Sequence, residues 1–188
     1  KSKILIKKES GITFLPCKHE GNSQGSEEEA KLIKKVVDEL LERKKVDILG
    51  KASKANHSDI QRALKSAEKG LEIWRNTSPW ERAKVIRKIS ELMRQKVDIL
   101  SKWLTLEVGK PISEGPGEIG GAADIFEWNS EETKRIFGEI NQSRFPNTQI
   151  HVMYQPVGVV AALVPWNFPV ILASRKISTA LAAGCSVI

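Results

Sequence analysis

Cysteine is scarce in this chain. There are two in 188 residues, Cys17 and Cys185, far apart and in no CxxC pair. Two such residues build no disulfide framework, and a reducing compartment is the simpler setting. Histidine is as sparse. His19, His57 and His151 lack the spacing of metal ligands, and Cys17-Lys18-His19 is a lone triplet without a second pair, so no metal site is expected. No stretch approaches ~18 consecutive apolar residues, so no membrane span is expected. The segment Lys1 to Lys8 is basic, but its apolar run Ile4-Leu5-Ile6 is too short for a secretory signal. These absences give a cytoplasmic location as the expectation.

What is present suits one soluble globular domain, or one domain with an appendage: 40% hydrophobic and 28% charged residues. The net charge of +7 raises nucleic acid as a partner. Against it, cations and acids are interleaved along helical segments, as in Glu81-Arg82-Ala83-Lys84, a pattern that marks a solvated helix face. Nucleic acid and membrane are therefore not expected partners.

Residues 1–45 have their own texture. Ile4-Leu5-Ile6 and Ile12-Thr13-Phe14-Leu15, separated at Gly11, read as two strands. Glu20 to Gly25 is turn chemistry. Ser26 with Glu29 forms a capping box, and Leu32, Ile33, Val36, Val37, Leu40 and Leu41 follow at helical spacing. From Val46 the texture is that of longer helices. Ser58 with Gln61 makes a second box before a face of Ile60, Ala63, Leu64, Ala67, Leu71 and Trp74. Ser78-Pro79-Trp80-Glu81 starts another helix: Ser78 caps, Pro79 takes the first helical position, and Glu81 returns to the cap. A third helix covers Val97 to Glu107 and ends at Gly109 and Pro111. A fourth runs from about Ser113 to Phe137, with Pro116 in its first turn and Gly120-Gly121 weakening it. The Gly-rich stretch from Gly115 to Gly121 is no phosphate loop, because no strand precedes it and the G-x-G-x-x-G spacing is absent.

The period then changes. Gln149 to Gln155 reads as a strand. Val157 to Val164 is a nearly unbroken apolar run, as expected of a buried strand in a parallel sheet. Pro165 to Pro169 is a turn, Val170 to Ala183 a helix closed by Gly184, and Cys185 to Ile188 opens another strand. This is an α/β pattern, a β-α-β unit with an incomplete second strand. A turn at the carboxyl end of a parallel strand is where open α/β sheets bind ligands. Asn167 sits between two prolines there. Its amide can serve a developing negative charge, or it can simply cap the next helix.

Residues from about Val46 to Ile188, three-quarters of the chain, resemble the aldehyde dehydrogenase superfamily. The matching pieces are Ser58 to Leu64 with Trp74, Glu81-Arg82-Ala83, Leu104 to Pro111, Gln155 to Val159, Pro165-Trp166-Asn167-Phe168-Pro169, and Ala180 to Cys185. Each is weak alone. Their common order is specific. Glu127-Trp128, Glu131-Glu132, Lys134 to Gly138 and Arg175-Lys176 are similar to the succinate-semialdehyde dehydrogenase branch.

The resemblance implies a truncated Rossmann-like NAD(P)-binding domain, with a helical amino-terminal half followed by the incomplete β-α-β unit. It implies oxidation of an aldehyde, such as succinate semialdehyde, to the carboxylate with NAD or NADP. Asn167 matches the oxyanion amide. Val164, Pro165 and Trp166 match the strand end against the cofactor. Phe168 matches the aldehyde channel, and Arg175 matches the arginine that holds the substrate carboxylate, for which a planar donor fork is suited. Arg175 as a surface or structural ion-pair arginine is the bland alternative. Cys185 matches a small-residue position and not the nucleophile. In the family a cysteine thiolate attacks the aldehyde, hydride passes to NAD(P)+, and an activated water hydrolyses the thioester. The nucleophile and base match positions beyond Ile188, so the chain by itself is expected to be inactive. The resemblance also implies that the full-length relative is a homo-oligomer. The branch has alanine-arginine where this chain has Gly115-Pro116 and larger residues than Gly120-Gly121, which suggests looser helix packing there. Residues 1–45 are expected to be a separate segment. Gly11 to Phe14, His19 to Asn22 and Ser26 to Ala30 faintly resemble a linking stretch of superfamily 1 helicases, without an ATPase motif. A helicase fragment and a non-catalytic remnant are the rival classes.

Overall fold

Apolar residues at helical spacing between 57 and 132 form four helices in the computed structural model: α1 (His57–Arg75), α2 (Pro79–Gln95), α3 (Val97–Val108) and α4 (Gly115–Glu132). The structure describes residues 2–8, 11–15, 31, 35 and 46–188, with side chains at 31, 35 and from 54 onward. The Cys17-Lys18-His19 triplet and the Ser26–Glu29 box lie outside the described residues. Lys31 and Lys35, within the helix expected after that box, are helical. By backbone contacts the chain divides into two units, residues 1–59 with 98–116 and residues 60–97 with 117–188.

In the first unit, β1 (Ser2–Lys8), β2 (Gly11–Leu15) and β3 (Val46–Ser53) form an antiparallel sheet in the order β2-β1-β3. The first two strands match the two apolar runs. The third corrects the expectation of helix from Val46. Val46-Asp47-Ile48-Leu49 is too short to show a period by itself, and pairing with β1 decides its state. The start of α1 is also corrected. Ser58 and Gln61 form no box. Asn56 Oδ1 accepts the Asp59 N–H at 3.0 Å, and the Asp59 carboxylate accepts the Asn56 N–H at 2.9 Å. Those two residues straddle the first turn of a helix that begins at His57, so the reciprocal box lies two residues earlier. Helix α3 ends as its sequence predicts, with Gly109 at φ 74° and its N–H on the Thr105 carbonyl at 2.9 Å. Gly115 lies against α3. A Cβ there would sit 2.6 Å from Ser101 Cβ, closer than real side chains approach.

The second unit holds α2, most of α4, and helix α5 (Pro169–Ala182). Ile86, Phe126 and Ala182, one from each helix, form its buried centre, with Trp74, Ile89, Met93, Ile177 and Leu181 packed around them. Trp74 Nε1 donates to the Leu181 carbonyl at 2.9 Å, which satisfies the indole while its ring packs. The α2 start behaves as the sequence predicts in two respects of three. Ser78 accepts the Glu81 N–H at 3.3 Å and Pro79 opens the helix, but the Glu81 carboxylate turns to Lys84 Nζ at 2.7 Å instead of the cap. The fourth expected helix is shorter at its end. It stops at Glu132, and a 3-10 turn covers Thr133–Arg135.

Beyond α4, β4 (Glu139–Gln142) pairs antiparallel with β5 (Gln149–Val152), Glu139 opposite Val152. The strand expected to reach Gln155 ends at Val152, where its partner ends. Gly138 is required there, since a Cβ would meet the Val152 carbonyl oxygen at 2.3 Å. The run expected as one buried strand from Val157 to Val164 is another correction. Only β6 (Val159–Val160) forms, parallel to β7 (Ser186–Val187). The residues beside it are not buried, and Leu163 is 81% exposed. An apolar run is buried on both faces only where layers cover both, and β6 has β7 as its one partner among the described residues.

Candidate active-site wall

The parallel pairing of β6 with β7 places the segment after β6 at the carboxyl edge of the ladder. Hydrogen bonds from Ala162 N–H to the Ile188 carbonyl (2.7 Å) and from Ile188 N–H to the Val160 carbonyl (2.9 Å) extend that edge. Helix α5 returns the chain and closes with two bonds, Gly184 N–H to Leu181 and Cys185 N–H to Ala180, at 3.0 and 2.9 Å. This is the Schellman pattern, and Gly184 adopts the φ of 90° that it requires. The β-α-β reading of the sequence therefore stands.

The turn from Pro165 to Phe168 leads directly into α5. The capping position is Phe168, with φ −136° and ψ 65°, and no side chain of the turn caps the helix. Asn167 is thus not the cap, which removes its bland reading. The cap comes from elsewhere. Glu118 on α4, only 5% exposed, accepts the N–H groups of Val170 (3.0 Å) and Ile171 (3.4 Å) on one oxygen, Oε1. Pro169 has no N–H, and Leu172 N–H reaches the Phe168 carbonyl at 3.1 Å. The first-turn donors of α5 are therefore engaged inside the protein. A helix start is an anion site only while its N–H groups are open, and here a carboxylate of the chain itself already takes them.

The other expected residues fall around this turn. Pro165, Trp166 and Asn167 are exposed, with Trp166 at 72%. Val164 and Phe168 are exposed at the two ends of the segment. Phe168, Leu172 and Arg175 follow at i, i+4 and i+7, so they share one stripe of α5. Ser174, Ser178 and Ala182, about a quarter of the way around the helix from that stripe, are buried. Arg175 is exposed, and among the described residues its guanidinium has no carboxylate partner, so it is not a structural ion-pair residue there. Cys185 is a free thiol, buried to 2% exposure, which agrees with a packing position.

Two features were not legible in the sequence. Arg82, within a stretch that reads as a solvated face, is 7% exposed. Its Nη1 donates to the Thr77 carbonyl at 2.9 Å and lies 3.1 Å from where a Cβ on Gly184 would be. Burial pushes its pKa down, and the nearby Cys185 acts in the opposite sense. Only Glu81 and Lys84 of that stretch face solvent. The second feature is the close approach of α4 to α5 at Gly121, where a Cβ would meet Ile171 Cδ1 at 3.1 Å. Ala122 and Ala123 beside it are fully buried. The packing expected to loosen at Gly120-Gly121 is instead tight at Gly121, because the missing Cβ admits Ile171. Glu127 and Glu131, residues of the branch-like motif, pair with Arg87, and Arg94 bridges Asp124 and Glu127 at 2.7 Å each. Those two hydrogen bonds raise the pKa of Arg94. Among the described residues no group of three potential ligands could hold a metal, and no helix is long and apolar enough to cross a membrane.

A turn at the carboxyl edge of a parallel ladder, with an uncommitted amide and apolar neighbours, is where open α/β sheets bind ligands, and it is the candidate site here. Comparison with known proteins gives the family. The model of the aldehyde dehydrogenase family matches residues 34–188, and the chain belongs to that family. It is 42% identical over 142 residues to a glutarate-semialdehyde dehydrogenase of Pseudomonas aeruginosa, covering 76% of this chain and 29% of that protein. It is 40% identical to the NADP(+) succinate-semialdehyde dehydrogenase of Escherichia coli, covering 76% of this chain and 30% of the relative. The solved succinate-semialdehyde dehydrogenase of Burkholderia pseudomallei superposes with a TM-score of 0.74 at 39% identity, over 76% of this chain and 30% of that one. The chain thus spans under a third of the length of the relatives it matches.

Proposed function

We propose that this chain supplies one wall of the active site of an NAD(P)-dependent dehydrogenase that oxidises a semialdehyde acid to the dicarboxylate. The observation that carries the reading is Asn167. It is exposed in a turn held by two prolines, at the carboxyl edge of a parallel ladder, and it has no capping duty. A fixed amide donor of that kind suits the oxygen of an aldehyde as it becomes negative under attack by a thiolate. Arg175, on the Phe168 stripe and without a carboxylate partner among the described residues, suits the remote carboxylate of the substrate. Phe168 lines the space between. The names of the similar enzymes, glutarate- and succinate-semialdehyde dehydrogenases, favour the same substrate class.

Val164, Pro165 and Trp166 would hold the cofactor as an apolar wall. They fit a flat ring face. The α5 start does not fit the phosphates, because Glu118 already takes its N–H groups. NAD(P)+ supplies the hydride acceptor when bound. The thiolate is not Cys185, the one described cysteine, because it is buried. The chain spans under a third of its relatives' length, and we expect it by itself to turn over no aldehyde. Residues 1–45 are read as a segment apart from this wall, on composition.

The test is a chimaera joining this chain to the remaining carboxyl-terminal part of the Escherichia coli relative. It should reduce NAD(P)+ with succinate or glutarate semialdehyde. Asn167→Ala should lower kcat by about 10²–10³. Arg175→Leu should raise KM for the semialdehyde acids more than tenfold and leave a neutral aldehyde of similar length little changed, consistent with a lost charge-assisted pair. Equal effects of Arg175→Leu on both aldehydes would remove the carboxylate assignment.

A further inference from the structure

We propose that Glu118 is the positioning residue for the turn that carries Asn167, and this rests on the reading of Asn167 as an oxyanion donor. A helix start normally recruits a side chain from its own turn, and asparagine is among the preferred caps. Here the capping position is Phe168, whose side chain cannot cap, and the acceptor comes from α4, 52 residues before Val170. The arrangement has two consequences. Asn167 keeps its amide for a ligand. The backbone just after it, at Val170 and Ile171, is tied to a helix in the core of the unit.

Three features make the tie specific. The carboxylate is nearly fully buried, and a buried acceptor is costly without donors; the two N–H groups at the start of α5 fill its Oε1. Pro169 presents no N–H that would compete or be left open. Gly121 lies one turn beyond Glu118 on the same face of α4, and its missing Cβ lets Ile171 come within a distance that a methyl would contest. Glu118 and Gly121 thus hold the same first turn of α5, one by hydrogen bonds and one by close approach. With those N–H groups taken, the Asn167 side-chain amide is left as a donor at the turn.

The experiment is NMR on the whole chain, comparing native protein with Glu118→Ala and Glu118→Gln. In Glu118→Ala the amides of Val170 and Ile171 should exchange about tenfold faster, as for loss of a helix cap. The amide of Ile177, deeper in α5, should hold its protection. The side-chain NH2 resonances of Asn167 should shift. Glu118→Gln keeps a carbonyl acceptor and should restore both signals. Unchanged exchange at Val170 and Ile171, an unmoved Asn167 signal, or failure of Gln to rescue would each overturn the proposal. Should Glu118→Ala not fold, Glu118→Asp keeps the charge but shortens the reach, and native exchange in that variant would overturn it equally. These readouts need no substrate or cofactor. A wrong aldehyde reading would show instead as an inactive chimaera.

Discussion

Helices α2 and α5 both open on proline, yet they are capped in opposite ways. Ser78 caps α2 from the residue beside it. Phe168 occupies the same place before α5 and caps nothing, while Glu118 does the work from another helix. The first start is local. The second borders the candidate site, and its cap is supplied at long range by Glu118. A helix start with a missing local cap is therefore informative. It points to a tertiary cap.

The largest effect should come from the packing that brings α4 to α5. Ile86→Ala opens a cavity between Phe126 and Ala182, and it should cost about 2–5 kcal/mol in urea unfolding of the chain. A smaller cost would mean that the two helix starts do not share this core. Next comes Glu118→Ala, which leaves two N–H groups at a buried helix start without their acceptor, at about 1–3 kcal/mol. Combined with Ile86→Ala its cost should not be additive, by ~0.5 kcal/mol or more, since both act through α4 and α5.

Ser78→Ala should cost about 1 kcal/mol and add to Glu118→Ala within ~0.5 kcal/mol, because a local cap answers only to its own helix. Strong coupling between the two in a double-mutant cycle would dissolve the contrast. The smallest effect should be Lys84→Ala, which removes an exposed pair with Glu81. It should change stability by no more than ~0.5 kcal/mol, and that difference should vanish in high salt. The same limit applies to the Arg87 and Arg94 pairs, whose side chains are partly open to solvent.

How much was legible follows the same division. The start of α2, the ends of α3 and α5 at Gly109 and Gly184, and the parallel β-α-β connection all rest on contacts within a few residues or on long periodic runs. They were readable. The strands at Val46–Ser53 and Glu139–Gln142 were not, because short or exposed strands show no reliable period and take their state from a partner; the strand from Gln149 was readable, and only its end was placed too far. Arg82 looked solvated because charge alone cannot show which way a helix faces.

Sequence by itself determined the α/β order, the turn from Pro165 to Pro169, and Asn167 and Arg175 as the residues to examine, since motif order and turn chemistry are written along the chain. Only the tertiary structure decided that Asn167 is no cap, that Phe168 and Arg175 share a stripe open to solvent, and that Glu118 and Gly121 hold the start of α5. The reason is physical. A cap 52 residues away has no local signature, and the absence of a Cβ matters only when another helix lies against it.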